Sequence, residues 1–156
     1  MNRVLALACM LVTLAMLILR ATSAVAGPAA SLAVREAWAR ATPPGATVAA
    51  VYLTILGGSR PDRLLGANTA RARTTELHAV AHAAGMTRMR PSDGVDIPAR
   101  GKLVLAPEGL HLMLMEMPRP LMQGEAFEVQ LRFAHAGPVD VPVQVVAPGA
   151  SGPAPR

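Results

Sequence analysis

Apolar and polar residues alternate along much of this chain, and Gly, Pro, Asp or Asn interrupts the alternation every eight to twelve residues or so, about one short strand plus one turn. Phe127, Val129, Leu131 and Phe133 alternate with Glu128, Gln130 and Arg132, and Val139, Val141, Val143 and Val145 repeat the pattern near the end. A period of two sends one set of side chains to a core and the other to water, the mark of a half-buried strand. Further strands are predicted over 32–38, 48–56, 63–67, 74–82, 86–90, 102–105 and 111–117. Short strands at even spacing predict an all-β fold, an antiparallel Greek-key sandwich or barrel, in one domain over 27–146.

The two ends follow other rules. Met1-Asn2-Arg3 is a short positive start, residues 4–19 are apolar apart from Thr13, and Ala24-Val25-Ala26 has the small-x-small pattern of a signal peptidase site. Residues 1–26 are therefore expected to be a cleaved signal peptide that exports the domain to the periplasm, with no membrane insertion afterwards. The apolar run is shorter than the ~20 residues of a membrane span. Cys9 lies inside it with Ala6 where a lipobox wants a branched residue, so no lipid anchor is expected. Residues 147–156, rich in Pro, Gly and Ala, are expected to form a flexible tail.

Cleavage takes Arg3 and Arg20 with it and lowers the formal net charge from +5 to +3. That mild excess, spread over scattered arginines in a chain with 3% aromatic residues, does not describe a nucleic-acid binder. The exported domain has no cysteine, so no disulfide braces it and its core alone must hold it.

Chemistry concentrates in His78, Met89, His111 and Met113. Two imidazoles and two neutral thioethers can close a tetrahedral shell around one soft ion, and that mixture favours Cu(I) over Zn, Mg or Ca. The expected strands bring the four together. Folding 74–82 against 86–90 about Ala83-Ala84 places His78 opposite or nearly opposite Met89, and directly opposed residues have Cβ atoms ~5 Å apart. On 111–117, His111, Met113, Met115 and Met117 share one face, and Leu112 and Leu114 take the other. Methionine on a strand is more often flexible core filler than a ligand, and core or outer-shell roles suit Met115 and Met117. His82, four residues after His78 on the same face, is either an auxiliary ligand or solvent-facing. His135 beside Ala136-Gly137-Pro138 reads as a satisfied surface residue; Glu76, Asp93, Glu108 and Glu116 read as a solvated face, with one of them orienting a ligand imidazole through its other ring nitrogen as the second reading; Trp38 and Tyr52 read as core anchors, with Trp38 near the metal as the alternative.

The three intervals between these four residues spell H-x10-M-x21-H-x-M, and the chain resembles the periplasmic copper chaperone family PCuAC, which carries that pattern. The segments Ala37-Trp38-Ala39-Arg40-Ala41-Thr42-Pro43-Pro44-Gly45, Glu76-Leu77-His78, Arg88-Met89-Arg90-Pro91 and Gly109-Leu110-His111-Leu112-Met113 resemble the family's, in the family's order. The resemblance implies a cupredoxin-like fold that binds Cu(I) through His78, Met89, His111 and Met113. It also implies delivery to the copper centres of a haem-copper cytochrome c oxidase, directly to a subunit or through another assembly chaperone. Thr87 stands where many members have a methionine, and the tail lacks the His and Met of members that hold a second, Cu(II) ion.

A monomeric, non-enzymatic copper chaperone is the expected function, with periplasmic copper sequestration through the same four ligands as the alternative. A blue-copper electron carrier needs a cysteine thiolate that the exported domain lacks. No Gly-x-Ser-x-Gly, HExxH or nucleophilic cysteine supports an enzyme.

Overall fold

The computed structural model describes residues 31–83 and 86–153, with the side chains of 80–88 excepted. The expected signal peptide, Cys9 included, lies outside the described residues. All regular structure among the described residues is strand: β1 (Ala33–Arg40), β2 (Ala49–Leu56), β3 (Asp62–Asn68), β4 (Thr74–Ala83), β5 (Met86–Pro91), β6 (Val95–Ile97), β7 (Lys102–Leu105), β8 (His111–Met115), β9 (Ala126–Phe133) and β10 (Pro138–Val146). Every strand expected from alternation is present. The additional one, β6, is three residues between Gly94 and Pro98, too short to show a period.

The strands form one sheet in the order β5-β4-β8-β2-β1-β10-β9-β3-β6, with β7 joined to β2. All neighbours are antiparallel except β1 and β10, which run parallel. The sheet curls until β3 meets β4. Its inner face carries the core, with Leu53, Ile55, Leu64, Leu112, Leu114 and Leu131 almost wholly removed from water.

Two irregularities set which side chains reach the outer face. Arg35 pairs with Thr54 but Trp38 pairs with Tyr52, so β1 holds one extra residue, and Glu36 there takes φ 52°. This bulge turns Ala37 and Ala39 into the core and Trp38 onto the face of Tyr52. The second is a break beside Tyr52. Leu105 of β7 pairs with Leu53, Leu112 of β8 pairs with Val51, and residues 106–110 loop out between them, closed by Ala106 N–H to Leu110 O (2.8 Å) and Gly109 N–H to Ala106 O (3.1 Å).

The loop after β9 is tied to the start of β3 by Asp62, whose side chain is only 9% exposed. Burial by itself raises the carboxyl group's pKa. The N–H groups of Arg63, His135 and Ala136, together with the His135 ring, outweigh burial and hold the Asp62 carboxyl below its ordinary value. His135 is the surface residue expected. The tail, expected to hang free, begins with a turn from Ala150 N–H to Ala147 O (3.1 Å), and Arg40 Nε donates to Ala150 O at 2.9 Å.

Candidate metal centre

Strands β4 and β8 pair so that His78 stands directly opposite His111, and Glu76 opposite Met113. Opposed residues share a face. His78, Glu76, His111 and Met113 therefore occupy one patch on the outer side of the sheet, while Leu77 and Leu112, also opposed, sit in the core behind it. The two imidazole centroids are 6.2 Å apart with planes at 65°.

Met89 joins this patch from the edge strand β5, in a register different from the expected one. Pairing in the β4–β5 hairpin runs as far as Ala83 with Met86, leaving only Ala84-Gly85 as the connection, so His78 opposes Pro91 and Met89 opposes Val80. The register is two residues away from the one expected of a fold about Ala83-Ala84, which would have set Met89 against His78. Met89 thus lies diagonally from His78 on the same face. Its side chain is 60% exposed. His111, by contrast, is 4% exposed, so the patch is open to solvent on the β5 side.

The imidazoles are fixed by different partners. His111 Nδ1–H donates to the Gly109 carbonyl in the looped-out segment at 2.9 Å, which leaves Nε2 with a free lone pair. His78 Nε2 lies 2.8 Å from Glu76 Oε2, and its Nδ1 is buried with no hydrogen-bond partner among the described residues. An unpartnered buried nitrogen is costly, roughly 1–3 kcal/mol, and it fits a place where a metal ion supplies the missing partner. Among the described residues no three His, Cys, Asp or Glu side chains gather to hold a metal.

Aromatic residues buttress the site. Tyr52 lies 6.3 Å from His111 between ring centroids, Trp38 lies 4.6 Å from Tyr52, and the Arg40 guanidinium stands 5.8 Å over Trp38. Trp38 and Tyr52 are buried, not in the core cluster but on the face that carries His111, which for Trp38 is the second of its two expected places. The β1 bulge sets Trp38 opposite Tyr52. Of the two readings open for Glu76, the structure shows the second: it partners His78, two residues along the same strand face. Met117 leaves the His111 face, because β8 ends at Met115, Glu116 takes φ 54°, and the chain turns the Met117 side chain into the core. Met115 stays on the outer face opposite Thr74. His82 pairs with Thr87, and both side chains lie outside the described ones.

Residues 32–145 match the family described as "Putative lipoprotein LpqE-like". A protein of Leifsonia xyli subsp. xyli named "Putative lipoprotein Lxx21020" is 36% identical over 114 residues, spanning 71% of this chain and 68% of that one. Among solved structures, the copper-bound PCuAC domain from PmoF2 superposes with a TM-score of 0.63 at 29% identity, over 77% of this chain and 96% of that domain. The Cu(I) form of DR1885 from Deinococcus radiodurans gives a TM-score of 0.58 at 32% identity, over 80% of this chain and 83% of that one. The all-β sheet is cupredoxin-like, as these PCuAC domains are.

Proposed function

Since the chain belongs to the LpqE-like family and its fold is of the PCuAC type, we propose that it is an exported carrier of one Cu(I) ion, held by His78, Met89, His111 and Met113. Copper is cargo in this reading, destined for the copper centres of a haem-copper cytochrome c oxidase, and the chain is not an enzyme. The observation that carries the proposal is the directly opposed pair His78 and His111, each with one ring nitrogen engaged, and with His78 Nδ1 buried and without a hydrogen-bond partner among the described residues. The solved relatives support copper as the metal, since one is copper-bound and another is a Cu(I) form.

The chain's own residues account for retention and release. His78, His111 and Met113 project from two inner strands hydrogen-bonded to each other, which holds three donors in place before the ion arrives. Neutral thioethers stabilise the reduced, soft ion. Met89, on an edge strand and largely exposed, is the donor that an acceptor's ligand can replace first. Export in this proposal depends on cleavage after Ala26.

X-ray absorption on protein loaded with Cu(I) tests the ligand set: two sulfur and two nitrogen or oxygen neighbours are expected, at one copper per chain. A zinc-loaded protein, or a shell without sulfur, refutes it. Oxidase copper loading in cells starved of copper separates delivery from sequestration. Deleting a carrier lowers it, whereas deleting a sequestering protein does not.

A further inference from the structure

We propose that Glu76 is a positioning residue that fixes His78 as the Nε2–H tautomer, so that His78 meets copper through Nδ1 while His111 meets it through Nε2. The inference rests on the copper-carrier reading and adds which atoms make the bonds.

A neutral imidazole has one N–H, and a carboxylate can only accept. The 2.8 Å contact between His78 Nε2 and Glu76 Oε2 therefore places the His78 proton on Nε2, and the buried, unpartnered Nδ1 carries the lone pair. Such a nitrogen is an exception among buried polar groups and calls for an occupant. The other atom of this kind among the described residues is Arg71 Nε, which is only a donor and belongs to a guanidinium already bonded to Glu125 and Pro120.

His111 has the reverse arrangement. Its Nδ1–H is spent on the Gly109 carbonyl, so only Nε2 is left to donate. The backbone carbonyl and the carboxylate thus select opposite nitrogens on two rings that face each other across one strand pair. Nδ1 adjoins the ring carbon that bears the side chain and sits closer to its own backbone than Nε2 does. Copper bound this way lies nearer β4 than β8, on the side from which Met89 approaches along β5. Glu76 and His78 are two residues apart on one strand, so β4 supplies the ligand and its orienting group as a unit.

Long-range proton–nitrogen NMR on 15N-labelled, copper-free protein at neutral pH reads the tautomer directly. The parent should show the His78 proton on Nε2, and titration with Cu(I) should move the Nδ1 resonance while Nε2 keeps its proton. Glu76→Gln retains an oxygen that accepts the Nε2–H, so it should preserve the tautomer and bind Cu(I) within about tenfold of the parent. Glu76→Leu, checked for a native sheet by its backbone spectrum, should mix the tautomers and weaken Cu(I) binding by roughly 10–100-fold. A parent His78 protonated on Nδ1, Cu(I) attached through Nε2, or an unchanged tautomer in Glu76→Leu each overturns the assignment and leaves the carrier reading intact. Absence of Cu(I) binding by the parent sinks the carrier reading and this assignment with it.

Discussion

Leu112 and Met113 are adjacent in β8 but belong to opposite faces, and replacing each should damage a different property. Leu112 is 0% exposed and is flanked by Val51 on one side and Leu77 on the other, both buried. Leu112→Ala removes a buried branched side chain between two hydrogen-bonded strands that cannot close over the gap, so the upper part of the usual 2–5 kcal/mol range applies, about 3–4 kcal/mol. For a domain of this size that lowers Tm by roughly 10–15 °C. Met113→Leu keeps volume and hydrophobicity at a half-buried position, and should cost less than ~1.5 kcal/mol. Urea unfolding measures the first property, and competition with a colourless-to-coloured Cu(I) chelator measures the second. Leu112→Ala should be much less stable, yet bind Cu(I) close to normally below its transition, because the outer face is untouched. Met113→Leu should unfold near the parent midpoint and lose Cu(I) to the chelator. Equal stability losses in the two variants, or parental Cu(I) retention by a folded Met113→Leu, would refute the division of β8 into a core face and a metal face.

Met89→Leu, at an exposed position, should change stability by no more than about 0.5 kcal/mol while weakening Cu(I) binding in the same chelator assay. Met117→Leu, in the core, should leave Cu(I) binding unchanged. The depressed Asp62 carboxyl adds a pH-dependent contribution that is present in full above the unfolded chain's value of 3.8 and is lost as pH falls through that value toward the lower folded one. Asp62→Asn should therefore be less stable at neutral pH and show a flatter acid limb in urea midpoints measured from pH 6 downward; an identical acid limb would show that Asp62 is not the responsible group.

Strand alternation made the sheet legible because each long strand has one dry face: β9 and β10 appear in the sequence nearly residue for residue. The same period placed His111 and Met113 together. It failed where geometry depends on single residues outside the alternation. The fold point of the β4–β5 hairpin shifted Met89 from opposing His78 to opposing Val80, and the bulge at Glu36 moved Trp38 off the core. Met117 has the core role expected of it but does not share the His111 face, because a left-handed Glu116 ends the strand, a conformation that a glutamate does not advertise. Glu76 was within reach of the sequence, since its place on the His78 face follows from spacing. Its hydrogen bond does not, because a charged residue beside a histidine on a strand is as readily solvated.

The looped-out residues 106–110 have a consequence for how such a protein can vary. Strands β7 and β8 are each registered against β2 independently, and the chain between them leaves the ladder altogether. An insertion or deletion there changes the cover beside Tyr52 and His111 without sliding either strand. Moving β8 itself by one residue exchanges His111 and Met113 with Leu112 and Leu114 and destroys site and core at once. Loop length and strand register are thus separately adjustable, so a lineage or a designer can thicken or thin the cover over the buried His111 while every side chain of β8 stays on its own face.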